Sequence, residues 1–279
     1  MLRKALLPFA VLLLLLTGAQ AAPEQPEPLD LTLLRVGKAD AIVARCGGEC
    51  LVIDTGEEDD GADLVRFLRR QGAERVDVLI ITHFDKDHVG GAARLLEQLE
   101  VGRILTPDYE SENPACAAFF EALERCHLAP ERLRESVSLS LGSAGLLVEP
   151  SAGCVPAGDG GQDNNLSLIT TLTHGDLRLV FAGDAEKQRI REWLAGDSAQ
   201  PCDFLKVPHH GVYGAVLREL FSQLDPAYAV ICSSEKNPAD EKTLALLEKQ
   251  GAQVFQTRDG DVWVASDGRS LCVRQETGQ

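Results

Sequence analysis

Three short apolar runs in this chain each break off into histidines and acids. VDVLIIT, residues 76–82, runs into HFDKDH; LRLVFAG, residues 177–183, runs into DAE; FLKVP, residues 204–208, runs into HHG. Runs of this length and composition read as buried strands. Charged and imidazole groups at their ends are costly unless they meet a common partner at the margin of a sheet. A fold for this chain must therefore bring three strand ends together.

The first cluster is the densest, with two histidines and two aspartates inside residues 83–88. If the chain stays extended past the strand, His83, Asp85 and Asp87 line one side, with His88 beside them where the backbone turns. Imidazole nitrogen and carboxylate oxygen are the usual non-thiol ligands of zinc and similar divalent ions, so a bound cation resolves the electrostatic conflict. Gly90 and Gly91 then allow a tight turn into a helix. Asp184, after an apolar run and a glycine, is placed to bridge two metals, and His209 and His210 repeat the pattern after another strand. Four of the six histidines lie in these motifs; His127 and His174 have no such company and are expected at the surface or satisfied within the core.

The remaining pattern is mixed. LTLLRVG, DAIVARC and CLVIDTG read as strands in hairpin sequence, and ADLVRFLRRQG, GGAARLLEQLE and CAAFFEALERC as helices. RILTP, LLVEP and LSLITTLTH return to strands. Hairpins mixed with helices place the chain in the α/β (α+β) class, with sheets covered by helices rather than one parallel sheet.

The chain starts with a basic MLRK, an apolar run Ala5–Leu16, and the small residues Ala19-Gln20-Ala21. This reads as a secretory signal peptide over residues 1–21, with 22–30 a polar linker and 31–279 the folded unit. The expected location is extracellular or periplasmic, and no spanning helix is expected after the leader. The formal charge of −16 becomes −18 once Arg3 and Lys4 leave with that segment. Such a surface repels polyanions, and no basic stripe offsets it, which counts against a grip on long nucleic acid. Eight cysteines in an exported chain suggest disulfides; Cys46 and Cys50, flanking Gly47-Gly48, are the pair expected to bridge.

Taken in order, VGKADAIVARCGGECLVIDTG, THFDKDHVGG, DNNLSL, FAGDAE, LKVPHHG and TRDGDVWVASDG resemble the metallo-β-lactamase superfamily, in particular the hydrolase domain of ComEC-type competence proteins and related free-standing secreted forms. The resemblance runs from about Leu31 to the end. It implies an αββα sandwich, two mixed sheets with helices outside, and two divalent ions at one edge, zinc or alternatively manganese. By the same resemblance His83, Asp85 and Asp184 hold one ion, and Asp87, His88, Asp184 and one of His209 or His210 the other. Asp85 stands where the broad superfamily has a histidine, which argues against a β-lactamase.

The activity implied is hydrolysis by a metal-activated hydroxide, most of all at phosphodiester bonds of nucleotides, DNA or phosphorylated surface components. Asp87 is expected to orient the hydroxide, and His209 or His210 to serve the leaving side. Asn165, Ser167 and Lys206 are expected to meet an anionic small molecule or short oligonucleotide, and Asp54 to brace a ligand. A carboxylic ester, lactone or amide is the alternative substrate, and a non-catalytic metal-containing binding protein the alternative of another class.

Overall fold

The computed structural model describes residues 26–153 and 163–275. The expected leader, residues 22–25 of the expected linker and Cys154 lie outside the described residues. In the N-terminal half the strands are β1 (Leu29–Leu33), β2 (Ala41–Cys46), β3 (Glu49–Thr55), β4 (Arg75–Ile80), β5 (Glu100–Pro107), β6 (Glu131–Leu133), β7 (Val137–Leu141) and β8 (Ala144–Glu149). Among them lie helices α1 (Gly61–Arg70), α2 (Lys86–Val89), α3 (Ala92–Gln98) and α4 (Pro114–Arg125). The second half continues with β9 (Ile169–His174), β10 (Leu177–Phe181), α5 (Lys187–Leu194), β11 (Phe204–Lys206), α6 (Leu217–Leu224), β12 (Tyr228–Ile231), α7 (Glu241–Gln250), β13 (Gln253–Gln256), β14 (Val262–Ser266) and β15 (Leu271–Gln275).

Two sheets result, one in the order β15-β14-β1-β2-β3-β4-β5-β6 and the other β13-β12-β11-β10-β9-β8-β7. Each changes character halfway. In the first, strands are antiparallel from β15 to β3 and parallel from β3 to β6. In the second they are antiparallel from β7 to β10 and parallel from β10 to β13.

The facing sides of the sheets close on one core, in which Leu31, Ile53 and Ile80 meet Leu146, Leu179 and Phe204. The outer side of the first sheet is covered by α1 to α4 through Leu64, Leu68, Leu95 and Phe119. The second is covered by α5 to α7 through Ile190, Trp193, Leu220 and Leu247. This is the expected αββα sandwich, with helices supplying apolar stripes to sheets that are buried on both faces. No helix among the described residues is long and apolar enough to cross a membrane.

The hairpin at Gly47-Gly48 corrects the disulfide expectation. Cys46 pairs across it with Glu49, and Cys50 with Arg45, so the two cysteines are not partners. Cys46 faces the core between the sheets and Cys50 faces the helices. A strand sends alternate side chains to opposite faces, and this register puts the sheet itself between the two sulfurs. Every described cysteine is a free thiol.

Candidate metal centre

Chain direction alone gathers the site. The parallel strands β3 and β4 end beside each other, as do β10 and β11, and all four carboxyl ends open on one edge of the sandwich. Open sheets offer their ligand sites at such strand ends. There β3 supplies Asp54, the segment after β4 supplies His83, Asp87 and His88, the turn after β10 supplies Asp184, and the turn after β11 supplies His210.

Past β4 the backbone departs from the simple extended reading. It stays open through Asp85 and then coils, His88 and Val89 both donating their N–H to the Asp85 carbonyl at 3.0 Å. Asp87 and His88 therefore sit on a helical turn and do not continue the alternation of His83 and Asp85. Gly90 and Gly91 hold ordinary right-handed backbone, φ −58° and −78°. They are needed for space: a Cβ on Gly91 would lie 2.3 Å from the Thr55 carbonyl oxygen.

Three backbone positions with positive φ aim the ligands. Asp54, at φ 57°, is fully buried and accepts from the Thr82 N–H at 2.7 Å, the Thr82 hydroxyl at 2.6 Å and His88 Nδ1 at 2.8 Å. His209 and His210, at φ 48° and 51°, form a left-handed turn that sends their rings to opposite sides. Non-glycine residues hold this conformation only where their surroundings enforce it, and such strain gathers at functional sites.

Hydrogen bonding then fixes the imidazoles. His88 donates from Nδ1 to Asp54, and His210 from Nδ1 to the Cys232 carbonyl at 3.0 Å. The Thr82 hydroxyl spends its proton on Asp54, so its oxygen accepts from His83 Nδ1 at 3.0 Å. In all three rings the Nε2 lone pair is left over. These three Nε2 atoms are buried without a hydrogen-bond partner, as is Asp184 Oδ1.

The left-over atoms converge. Ligand atoms of His83, His88 and Asp184 lie within 4.8 Å of one another, as do those of Asp87, His88 and His210. His88 Nε2 is 3.3 Å from Asp184 Oδ2, and His210 Nε2 is 3.1 Å from Asp184 Oδ2 and 3.4 Å from Asp87 Oδ2. Lone pairs facing carboxylate oxygens need a positive charge between them, either a proton or a metal ion. Without an ion the site draws protons: burial works against the charged rings, yet Asp184 with Asp54 and Asp40 holds His88 well above its ordinary pKa, and Asp184 with Asp87 and Asp40 raises His210. Burial would raise the Asp184 carboxyl, but His210, His88 and Lys206 hold it well below the usual carboxylate range. This donor set, carboxylate and imidazole with fixed outer hydrogen bonds, fits divalent ions of the zinc type.

Not every expected site residue joins the cluster. His209 turns outward, Nδ1 3.2 Å from Glu186 Oε1, so of the adjacent pair His210 points in. Burial lowers the His209 pKa from its ordinary value. Asp85 stands at the rim, half exposed, Oδ2 3.7 Å from His83 Nε2. His174 is buried and satisfied by Ser266 at 2.8 Å and the Glu27 carbonyl at 2.8 Å, and His127 is exposed.

The substrate-contact expectations need correction. Lys206 is fully buried, paired with Asp40, 3.5 Å from Asp184 Oδ1, and donating to the Gly183 carbonyl at 3.0 Å. It supports the floor of the site and has no surface open to a substrate. Ser167 is likewise buried and its hydroxyl accepts from the Asp184 N–H at 3.2 Å. Asn165 accepts from the Arg189 N–H at 3.0 Å and so tethers the first turn of α5.

Asp40 is the residue missed by sequence reasoning. It is 1% exposed, lies between Lys206, His88 and His210, and its backbone N–H donates to the Asp87 carbonyl at 3.0 Å. Its one signal was an acid pressed between alanines at the mouth of the buried run DAIVARC.

Known proteins share this fold. The profile of the metallo-beta-lactamase superfamily matches residues 34–234. The chain is 29% identical over 197 residues to ComE operon protein 3 of Bacillus subtilis (strain 168), covering 70% of this chain and 25% of that protein. It is 25% identical over 210 residues to Recombination protein 2 of Haemophilus influenzae, covering 74% and 24%. The chain thus spans about a quarter of the length of these curated relatives. Among solved structures, Tm1679, described as a metal-dependent hydrolase of the β-lactamase superfamily, superposes with a TM-score of 0.56 at 14% identity, covering 84% of this chain and 98% of that one.

Proposed function

From the premise that the chain belongs to the metallo-β-lactamase superfamily, on its ComEC-type branch, we propose that it is a metal-dependent hydrolase acting on phosphodiester bonds. The observation that carries the reading is the set of three buried Nε2 lone pairs without a hydrogen-bond partner, those of His88 and His210 facing Asp184 and Asp87 and that of His83 grouped with His88 and Asp184. His83 and Asp184 would hold one divalent ion, and His88, Asp87 and His210, with Asp184 shared, a second, zinc being the expected metal and manganese the alternative. Ions bound there would make water acidic and stabilise negative charge on the attacked group.

The chain's own residues do the rest. Asp54, Thr82 and the Cys232 carbonyl hold the rings in the one tautomer that leaves Nε2 free. Asp87, 16% exposed and 3.8 Å from Lys38 Nζ, stands at the open side of the cluster and can orient an attacking water by accepting a hydrogen bond from it. His209, braced by Glu186 at the mouth, holds the leaving side. Asp85, on the rim beside His83, faces the entering substrate.

An anionic small molecule or short oligonucleotide is the substrate class we favour. The name of Recombination protein 2 points toward nucleic acid, while the −16 charge of the chain disfavours a grip on long DNA. We further propose that the protein works outside the cytoplasm, on the strength of its leader-like start. The test is a panel of bis(p-nitrophenyl) phosphate, a short single-stranded oligonucleotide and a β-lactam, given to the zinc- and manganese-loaded protein and to His210→Ala. Turnover of the phosphodiesters that disappears in the variant supports the reading. Cleavage of the β-lactam alone overturns the substrate class, and bound metal with no turnover of any of the three overturns the activity.

A further inference from the structure

A pocket of about 400 Å³ opens directly beside the metal centre, sharing Glu186 and His209 with its mouth. Its walls are mostly apolar, with Ile190, Val212 and the ring of Tyr213 among them, and Lys187 and Arg191 stand at its edge. Val212 decides how this surface is read. It is 45% exposed and is the exposed large hydrophobic side chain among the described residues, in a chain that otherwise buries such groups. An apolar side chain left open inside a concavity, next to candidate chemistry, marks a ligand surface. Tyr213 is held in place, its N–H donating to Asp240 at 2.6 Å and its ring lying 5.3 Å from the Lys242 ammonium.

Resting on the phosphodiesterase reading, we propose that this pocket is the specificity subsite, and that it seats a planar aromatic group, of nucleobase character, carried on the ester whose phosphate sits at the metal centre. The apolar walls and Tyr213 cover the faces of the ring. Lys187 supplies local positive charge at the pocket edge, where Arg191 is paired with Glu219 at 3.3 Å, and suits the anionic linkage attached to that ring. A volume of about 400 Å³ accommodates a nucleoside-sized group.

The subsite is tested with two phosphodiesters whose alkoxide leaving groups are matched, the thymidine ester thymidylyl-(3′→5′)-thymidine and its analogue with abasic tetrahydrofuran units in place of both nucleosides. The protein is expected to prefer the thymidine ester by at least about tenfold in kcat/KM. That ratio should fall toward one in Val212→Ser and in Tyr213→Ser, with bound metal unchanged. No preference in the parent protein, or a ratio that both variants leave intact, overturns the subsite. Calorimetric titration of the metal-loaded protein with thymidine 5′-monophosphate separates this failure from that of the function. Binding that Val212→Ser weakens supports the pocket even if neither ester is turned over, and binding that is absent, or equal in the variant, overturns it even if both are.

Discussion

At the scale of single residues, the centre is defined by what surrounds the ligands as much as by the ligands. Asp54 accepts three hydrogen bonds, and through His88 Nδ1 it decides which nitrogen faces the ion. Outer partners of this kind are worth about 10–100-fold in metal affinity. Asp54→Ala is therefore expected to weaken zinc binding by that factor, measured by competition with a chromophoric chelator; unchanged affinity would remove Asp54 from the design. Lys206 makes a second test. It is buried against Asp40 and Asp184, and Lys206→Met leaves both carboxylates without that charge. Loss of one partner from a buried ion pair costs about 3–5 kcal/mol, which a shift of the urea midpoint of the metal-free protein would report. Its role also shows where sequence reading stopped: a lysine in FLKVP reads equally as exposed or interior, and only the position of β11 between β10 and β12 decides.

At the scale of elements, the clusters were legible because they depend on local order: an apolar run that stops, then acids and imidazoles. What was not legible depended on turn geometry. The helical turn after Asp85 broke the alternation expected for Asp87, and the register at Gly47-Gly48 separated Cys46 from Cys50 by a whole sheet. The choice between His209 and His210 needed the left-handed turn that contains both. Gly183 carries the same lesson. At φ 52°, with a Cβ that would lie 3.0 Å from Thr82 Cβ and 3.1 Å from Ser167 Cβ, it lets β10 deliver Asp184 against the end of β4. Alanine there adopts a left-handed backbone at a cost of about 1–2 kcal/mol and crowds both neighbours. Gly183→Ala should lower the thermal midpoint and weaken metal binding together; a variant with normal stability and normal affinity would show that the approach is not tight.

At the scale of the whole molecule, the sandwich converts chain direction into a site: two sheets, each antiparallel then parallel, present their parallel carboxyl ends at one edge. The family order of motifs made the architecture readable, whereas Asp40, which reaches the centre from the connection between β1 and β2, had no cluster to announce it. The gathered charge makes stability depend on pH. In the metal-free protein His88 and His210 have folded pKa values raised above 6.5, so their contribution is complete below that value and is lost as pH climbs through the raised values. Asp184 and Asp40 are lowered, and theirs is lost as pH falls through their folded values. Chelator-treated protein should therefore lose stability as pH rises above about 6.5, read from urea midpoints, while zinc affinity rises with it because the rings must shed protons to bind. Stability that rises with pH in the metal-free state would contradict this charge arrangement.

The central claim is that His83, His88, His210, Asp87 and Asp184 hold a pair of divalent ions. Elemental analysis of the purified protein, equilibrated with zinc and then dialysed, addresses it directly. The expected result is two equivalents per chain, reduced in His83→Ala and in His210→Ala. A protein that retains no zinc, or whose retained zinc is indifferent to both substitutions, would contradict the account.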